Sequence, residues 1–164
     1  MKLRILSVFA AAALLAACET APDSSATTGG EGVSTVNQPS TSTSLSESSP
    51  EWFAVNVGDR VFFGFDKYDL AGEARRTLEL QAAWLKKYPQ YKVVVEGHAD
   101  ERGTREYNLA LGERRANSVK DYLIALGIDP SRVETISYGK ERPVALGHDE
   151  ESWAKNRRAV SVIR

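Results

Sequence analysis

The sequence predicts an α+β domain, a two-layer sandwich with helices packed on a mixed four-stranded sheet. Three observations carry this expectation. Short β-branched and aromatic runs alternate with longer stretches of helical period. Punctuating residues such as Pro89 and Gly127 fall at the joints between them. The resulting order, β-α-β-α-β-(α)-β, suits helices laid on one face of a single sheet.

Val61-Phe62-Phe63-Gly64-Phe65 reads as the first strand. Leu70 to Tyr88 reads as a helix, with Ala71, Ala74, Leu78, Ala82 and Leu85 three or four apart and Pro89 as its stop. Tyr91 to Glu96 is the second strand, built around Val93, Val94 and Val95. Glu106 to Leu126 is the second helix, with Leu109, Ala116, Val119, Leu123 and Leu126 on its inner face and Gly127 at its end. Val133 to Tyr138 is a third strand, Glu150 to Lys155 a short helix, and Ala159 to Ile163 the last strand. Trp84 and Trp153 read as core or rim aromatics. Residues 52–164 thus form one domain of roughly 110 residues, enough for a single core.

The N-terminal third differs in kind. Residues 1–17 read as a cleaved signal peptide: Lys2 and Arg4 precede an apolar run, Ile5 to Ala17, too short to span a bilayer comfortably. Leu15-Ala16-Ala17-Cys18 looks like a lipobox, whose cysteine is acylated and becomes the new N-terminus. The plainer alternative is an ordinary signal peptide with a stray cysteine. Cys18 is the only cysteine in the chain, so no intrachain disulfide framework exists. Two or more acyl chains would anchor the protein stably to a leaflet without spanning it. Glu19, where an aspartate would retain enterobacterial lipoproteins in the inner membrane, leaves outer-membrane delivery open.

Residues 18–51 read as a linker after the lipidated cysteine, rich in Ser, Thr, Gly and Pro and unable to offset its ordering entropy by burial. Such a tether of about 30 residues spans ~30 Å as a coil and ~100 Å when pulled straight. It is either a search tether or a passive leftover. Cleavage removes two of the 21 basic residues and none of the 22 acidic ones, which leaves a net charge of −3. That balance speaks against a nucleic-acid partner.

The stretch Val93 to Ala116, VVVEGHADERGTREYNLALGERRA, carries the chemistry. It runs from strand through a loop marked by Gly97 and Gly103 into a helix. The loop holds His98, Asp100, Glu101 and Arg102; the helix holds Arg114 and Arg115. Acceptors at a strand end thus face donors on the next helix, where α/β folds place ligands. A small ligand with both an ammonium and a carboxylate fits that pattern. A solvated loop and a solvated helix face fit it too. Arg115 adjoins the buried stripe, so its guanidinium can fork onto a carboxylate with two parallel hydrogen bonds, which lysine cannot reproduce. Asp100 can accept from an ammonium.

Catalysis has little support. His98-Ala99-Asp100 with His148-Asp149 can be drawn as a metal site, but two histidines and scattered carboxylates are a weak signal. H-E-x-x-H and G-x-S-x-G motifs are absent. The sequence is read as a non-enzymatic binder with no metal and no cofactor.

VEGHADERGT followed by EYNLALGERRANSV resembles the peptidoglycan-binding domain of OmpA-like proteins. FDKYDL (Phe65 to Leu70) and SYGKERPVALGHDEESWAKNRRAV (Ser137 to Val160) fit the same family, and the resemblance covers about Val61 to Arg164. Arg105 departs from it, standing where relatives often have proline. The resemblance implies that Asp100 takes the amine and Arg115 the carboxylate of the diaminopimelate in the wall peptide. It also implies contacts from Phe65, Asp66, Arg102, Thr104, Asn108 and Leu111, although Asn108 reads equally as a helix cap or loop brace. It further implies an outer-membrane protein facing the periplasm that tethers that membrane to peptidoglycan. For lipid-anchored members it implies a partnership with TolB of the Tol system in envelope integrity and cell division.

Overall fold

The computed structural model describes residues 45–164. The expectations for the signal peptide, for Cys18 and for the linker before Leu45 lie outside the described residues.

Ser49 starts the described fold. Its hydroxyl accepts from the Trp52 backbone N–H at 3.1 Å and caps one helical turn, α1 (Pro50–Trp52). A π-helical segment, Phe53–Gly58, continues it. Then follow β1 (Arg60–Phe62), α2 (Gly72–Lys87), β2 (Val93–His98), α3 (Arg105–Ala125), a 3₁₀ turn at Pro130–Arg132, β3 (Val133–Gly139), α4 (Glu150–Asn156) and β4 (Arg158–Ile163). The sheet order is β1-β4-β2-β3, antiparallel at β1/β4 and β4/β2 and parallel at β2/β3. The mixed four-stranded sheet and the element order expected from the sequence are both present.

Four details differ. β1 stops at Phe62 and not at Phe65. Beyond it Asp66 adopts φ 56°, a left-handed conformation that a strand cannot carry. β2 runs from Val93 to His98, two residues later than expected. Tyr91 is instead stacked on Trp84, ring centroids 5.2 Å apart. Gly97, read as loop punctuation, pairs with strands on both sides. Its reason is the close approach of α3: a Cβ there would overlap the carbonyl oxygen of Gly112. Leu109, expected on the inner face of α3, is 46% exposed. The buried stripe instead includes Asn108, Leu111, Gly112 and Arg115 before Ala116, Val119 and Leu123. Two polar residues thus hold inner positions that hydropathy assigns to leucine.

The core lies between the sheet and α2 and α3. The Phe53 ring, from the π-helical segment, sits 4.9 Å from the Trp84 ring, in one buried cluster with Leu78 and Leu85 of α2, Val93 and Val95 of β2, and Val119 and Leu123 of α3. Full burial of each such side chain contributes about 1.5–3 kcal/mol. Trp84 is a core aromatic, as expected; its indole N–H donates to the Glu47 carbonyl at 2.9 Å.

The topology positions the site. β4 runs against both β1 and β2, so those two strands run the same way and their C-terminal loops emerge on one edge. The first turns of α3 and the start of β4 lie at that edge as well. There the Phe63 N–H donates to the Arg157 carbonyl at 2.9 Å.

Candidate functional site

A cleft of about 270 Å³ opens where these elements meet. Phe65 and Asp66 come from the loop after β1. Asp100, Arg102 and Gly103 come from the loop after β2, and Tyr107, Asn108, Leu111 and Arg115 from α3. Seven of the eight residues singled out from the sequence line it. The eighth, Thr104, caps α3 by accepting from the Tyr107 N–H at 3.2 Å and so fixes where the loop becomes helix. Asn108 is the loop brace of its two alternatives: it is buried, and its amide donates to the Arg102 carbonyl at 2.8 Å.

Arg115 is fully buried, not merely near the core edge. Its Nε donates to the Lys67 carbonyl at 2.8 Å, Nη1 to His98 at 2.7 Å and Nη2 to Gly64 at 3.2 Å. A guanidinium has five N–H groups, so two remain for a ligand. Burial pushes its pKa down to about 10, against the pull of Asp100, and the group is still a cation at neutral pH. Arg115 thus ties the loop after β1 to the end of β2 while presenting charge to the cleft.

Asp100 is held by its own loop. Arg102 Nη2 donates to it at 2.6 Å, and Arg102 Nε and backbone N–H donate to its other oxygen at 3.3 and 3.1 Å. Arg157 adds a contact of 3.4 Å. Burial opposes ionisation of Asp100, but the Arg102 and Arg157 bonds outweigh it and hold the carboxyl below the usual carboxylate range. The site therefore combines a fixed carboxylate with a fixed guanidinium in a small cleft, which is recognition chemistry for a zwitterionic group.

Sequence reading missed Tyr107 and Arg157, and took Gly103, which lines the cleft, only as loop punctuation. The Tyr107 hydroxyl donates to the Asp66 carboxylate and pins the left-handed turn. Arg157, also buried, links the Phe63 carbonyl (3.1 Å), Asp100 and Glu150 (2.6 Å). These partners lie far apart along the chain, and no local motif announces them. The metal drawing finds no geometry. His148 is exposed and bonded to Glu101 at 2.8 Å, and no group of three or more potential ligands is placed to hold an ion among the described residues.

His98 gives the site a pH signature. Its imidazole is buried, with neither nitrogen hydrogen-bonded and Glu96 Oε2 3.7 Å from Nε2. Burial, then the charges of Arg158 and Arg142, push its pKa down to about 4. An unfolded histidine titrates near ~6.5. Between those values the unfolded chain binds a proton that the folded chain refuses. The stability held by neutral His98 is therefore intact above pH ~6.5 and lost as pH falls toward 4. We expect urea unfolding to show a loss of up to ~3 kcal/mol across that window, and the slope to flatten in His98→Leu.

The OmpA family profile matches residues 62–157. The chain belongs to the OmpA family. Its peptidoglycan-associated lipoprotein members are structural and binding proteins, not enzymes. The chain is 56% identical over 115 residues to the peptidoglycan-associated lipoprotein of Rhizobium meliloti, covering 70% of this chain and 65% of that one, just under two thirds of the relative's length. It is 55% identical to the peptidoglycan-associated lipoprotein of Agrobacterium fabrum, covering 73% of this chain and 68% of that one. The crystal structure of the peptidoglycan-associated lipoprotein from Burkholderia pseudomallei superposes with a TM-score of 0.67 at 44% identity, over 71% of this chain and all of the other.

Proposed function

We propose that this chain is an outer-membrane lipoprotein that binds peptidoglycan non-covalently and tethers the membrane to the wall. The observation that carries the reading is the cleft itself, where the Asp100 carboxylate and the Arg115 guanidinium line one small cavity. The names of the curated relatives point to the same ligand. Diaminopimelate of the stem peptide offers an ammonium for Asp100 and a carboxylate for the two spare N–H groups of Arg115. Phe65, Asp66, Arg102, Asn108 and Leu111 shape the cleft around it, and Thr104 fixes its loop.

Acylation at Cys18 supplies the anchor, and the linker supplies the reach, although it is shorter than the 18–51 read from sequence because Glu47 and Ser49 already bond into the fold. Among the described residues no helix is long and apolar enough to cross a membrane. The domain then works in the periplasm, with TolB of the Tol system as its protein partner in envelope integrity and division. Purified sacculi test the reading. The full chain in detergent should sediment with diaminopimelate-type sacculi and be released by free stem peptide. A chain that stays in the supernatant overturns the reading.

A further inference from the structure

We propose that Arg102 is an internal stand-in for the ligand's amine: a wall peptide binds by taking the Asp100 carboxylate from Arg102 and passing that guanidinium to Glu150. The inference rests on the diaminopimelate reading above and specifies how the site is filled when no ligand is present.

A carboxylate offers about four lone-pair positions. Asp100 already receives four contacts: three from Arg102 and one from Arg157. Its side chain is only 6% exposed. An arriving ammonium therefore has to displace a donor. Arg157 cannot yield cheaply, because its side chain is 7% exposed and also holds the Phe63 carbonyl and Glu150. The Arg102 backbone N–H is fixed by the turn it closes. The Arg102 guanidinium is the exchangeable donor. It is 31% exposed, and among the described residues Asp100 is its only hydrogen-bond acceptor. Glu150 Oε2 stands 3.9 Å from Nη2, within reach of a small rotation.

The surroundings suit such an exchange. The guanidinium lies between two aromatic rings, 4.1 Å from the centroids of both Phe65 and Trp153. Stacking of this kind holds a cation without directional bonds, so it tolerates a shift. Phe65 also lines the cleft, so movement of Arg102 is felt at the ligand. Arg102 keeps the nearly buried charge of Asp100 paired, where an unpaired one would be costly. Binding trades one ion pair for another. The apparent affinity is lowered by the fraction of chains in which Arg102 has let go, which keeps the wall contact reversible.

The test uses two ligands: a diaminopimelate tripeptide and the same tripeptide with its side-chain amine acetylated. By calorimetry in the full chain, Arg102→Gln should bind the free-amine peptide roughly tenfold more tightly than the unmutated chain does. Any gain for the acetylated peptide, which brings no ammonium to Asp100, should be several-fold smaller. Arg102→Lys, a cation without the fork, should fall between. Arg105→Gln removes an equal charge from the adjoining start of α3 and should alter neither affinity. Ligand addition should also shift Trp153 fluorescence in the unmutated chain but not in Arg102→Gln, with Trp153→Phe identifying the signal. If the unmutated chain binds the free-amine peptide and Arg102→Gln binds it equally or more weakly, the exchange is wrong while the ligand reading stands. If the unmutated chain binds neither peptide, both fall.

Discussion

Replacing Arg115 with alanine is expected to destabilise the folded domain by about 3–5 kcal/mol, besides removing its hold on a ligand. The substitution strips donors from the Lys67, His98 and Gly64 carbonyls at once. Each buried polar group left unsatisfied costs about 1–3 kcal/mol, and water entering the cleft offsets part of the sum. Domains of this kind have about 5–15 kcal/mol in total, so the variant should still fold with a much lower urea midpoint. A midpoint within error of the unmutated chain would mean that the three carbonyl bonds do not secure the loop after β1. Arg115→Ala is therefore a poor probe of specificity taken alone. Arg115→Lys is better, because it keeps a cation near the cleft and one nitrogen that can still reach part of the carbonyl set, while losing the fork and the remaining carbonyl bonds.

Discrimination between wall peptides is the second large effect. Diaminopimelate and lysine peptides both carry the amine that Asp100 would accept, and only diaminopimelate adds the distal carboxylate. With lysine, the two spare N–H groups of Arg115 meet no anion. Loss of one partner from such a pair costs about 2–5 kcal/mol, or roughly thirty-fold and more in affinity at 1.4 kcal/mol per tenfold. Full burial of Arg115 removes the hydration that would soften this figure. Arg115→Lys should keep part of the preference. Asp100→Asn should weaken both peptides alike, since both present the amine.

Most of the fold was readable from period and punctuation, because buried stripes and strand runs are local patterns. The misreadings share a cause. Leu109 yields the inner face of α3 to Asn108 and Arg115, because those two side chains find buried carbonyl acceptors that hydropathy does not count. Gly97 belongs to a strand because α3 crosses it closely, a contact between elements and not a turn signal. The π-helical segment at Phe53–Gly58 buries Phe53 against Trp84, a contact between elements with no sequence period to announce it. At the site, charge pattern and family resemblance marked Asp100 and Arg115. They did not show that Arg157, 57 residues away, shares Asp100, or that Tyr107 reaches back 41 residues to Asp66. Only the sheet order brings the loops after β1 and β2 to the start of β4.

The most direct measurement is calorimetric titration of the unmutated full chain with the diaminopimelate stem peptide and with its lysine counterpart, side by side. The expected result is a preference of roughly thirty-fold or more for diaminopimelate. Equal affinity for the two peptides would contradict the pairing of Arg115 with the distal carboxylate, and with it the proposed basis of wall recognition.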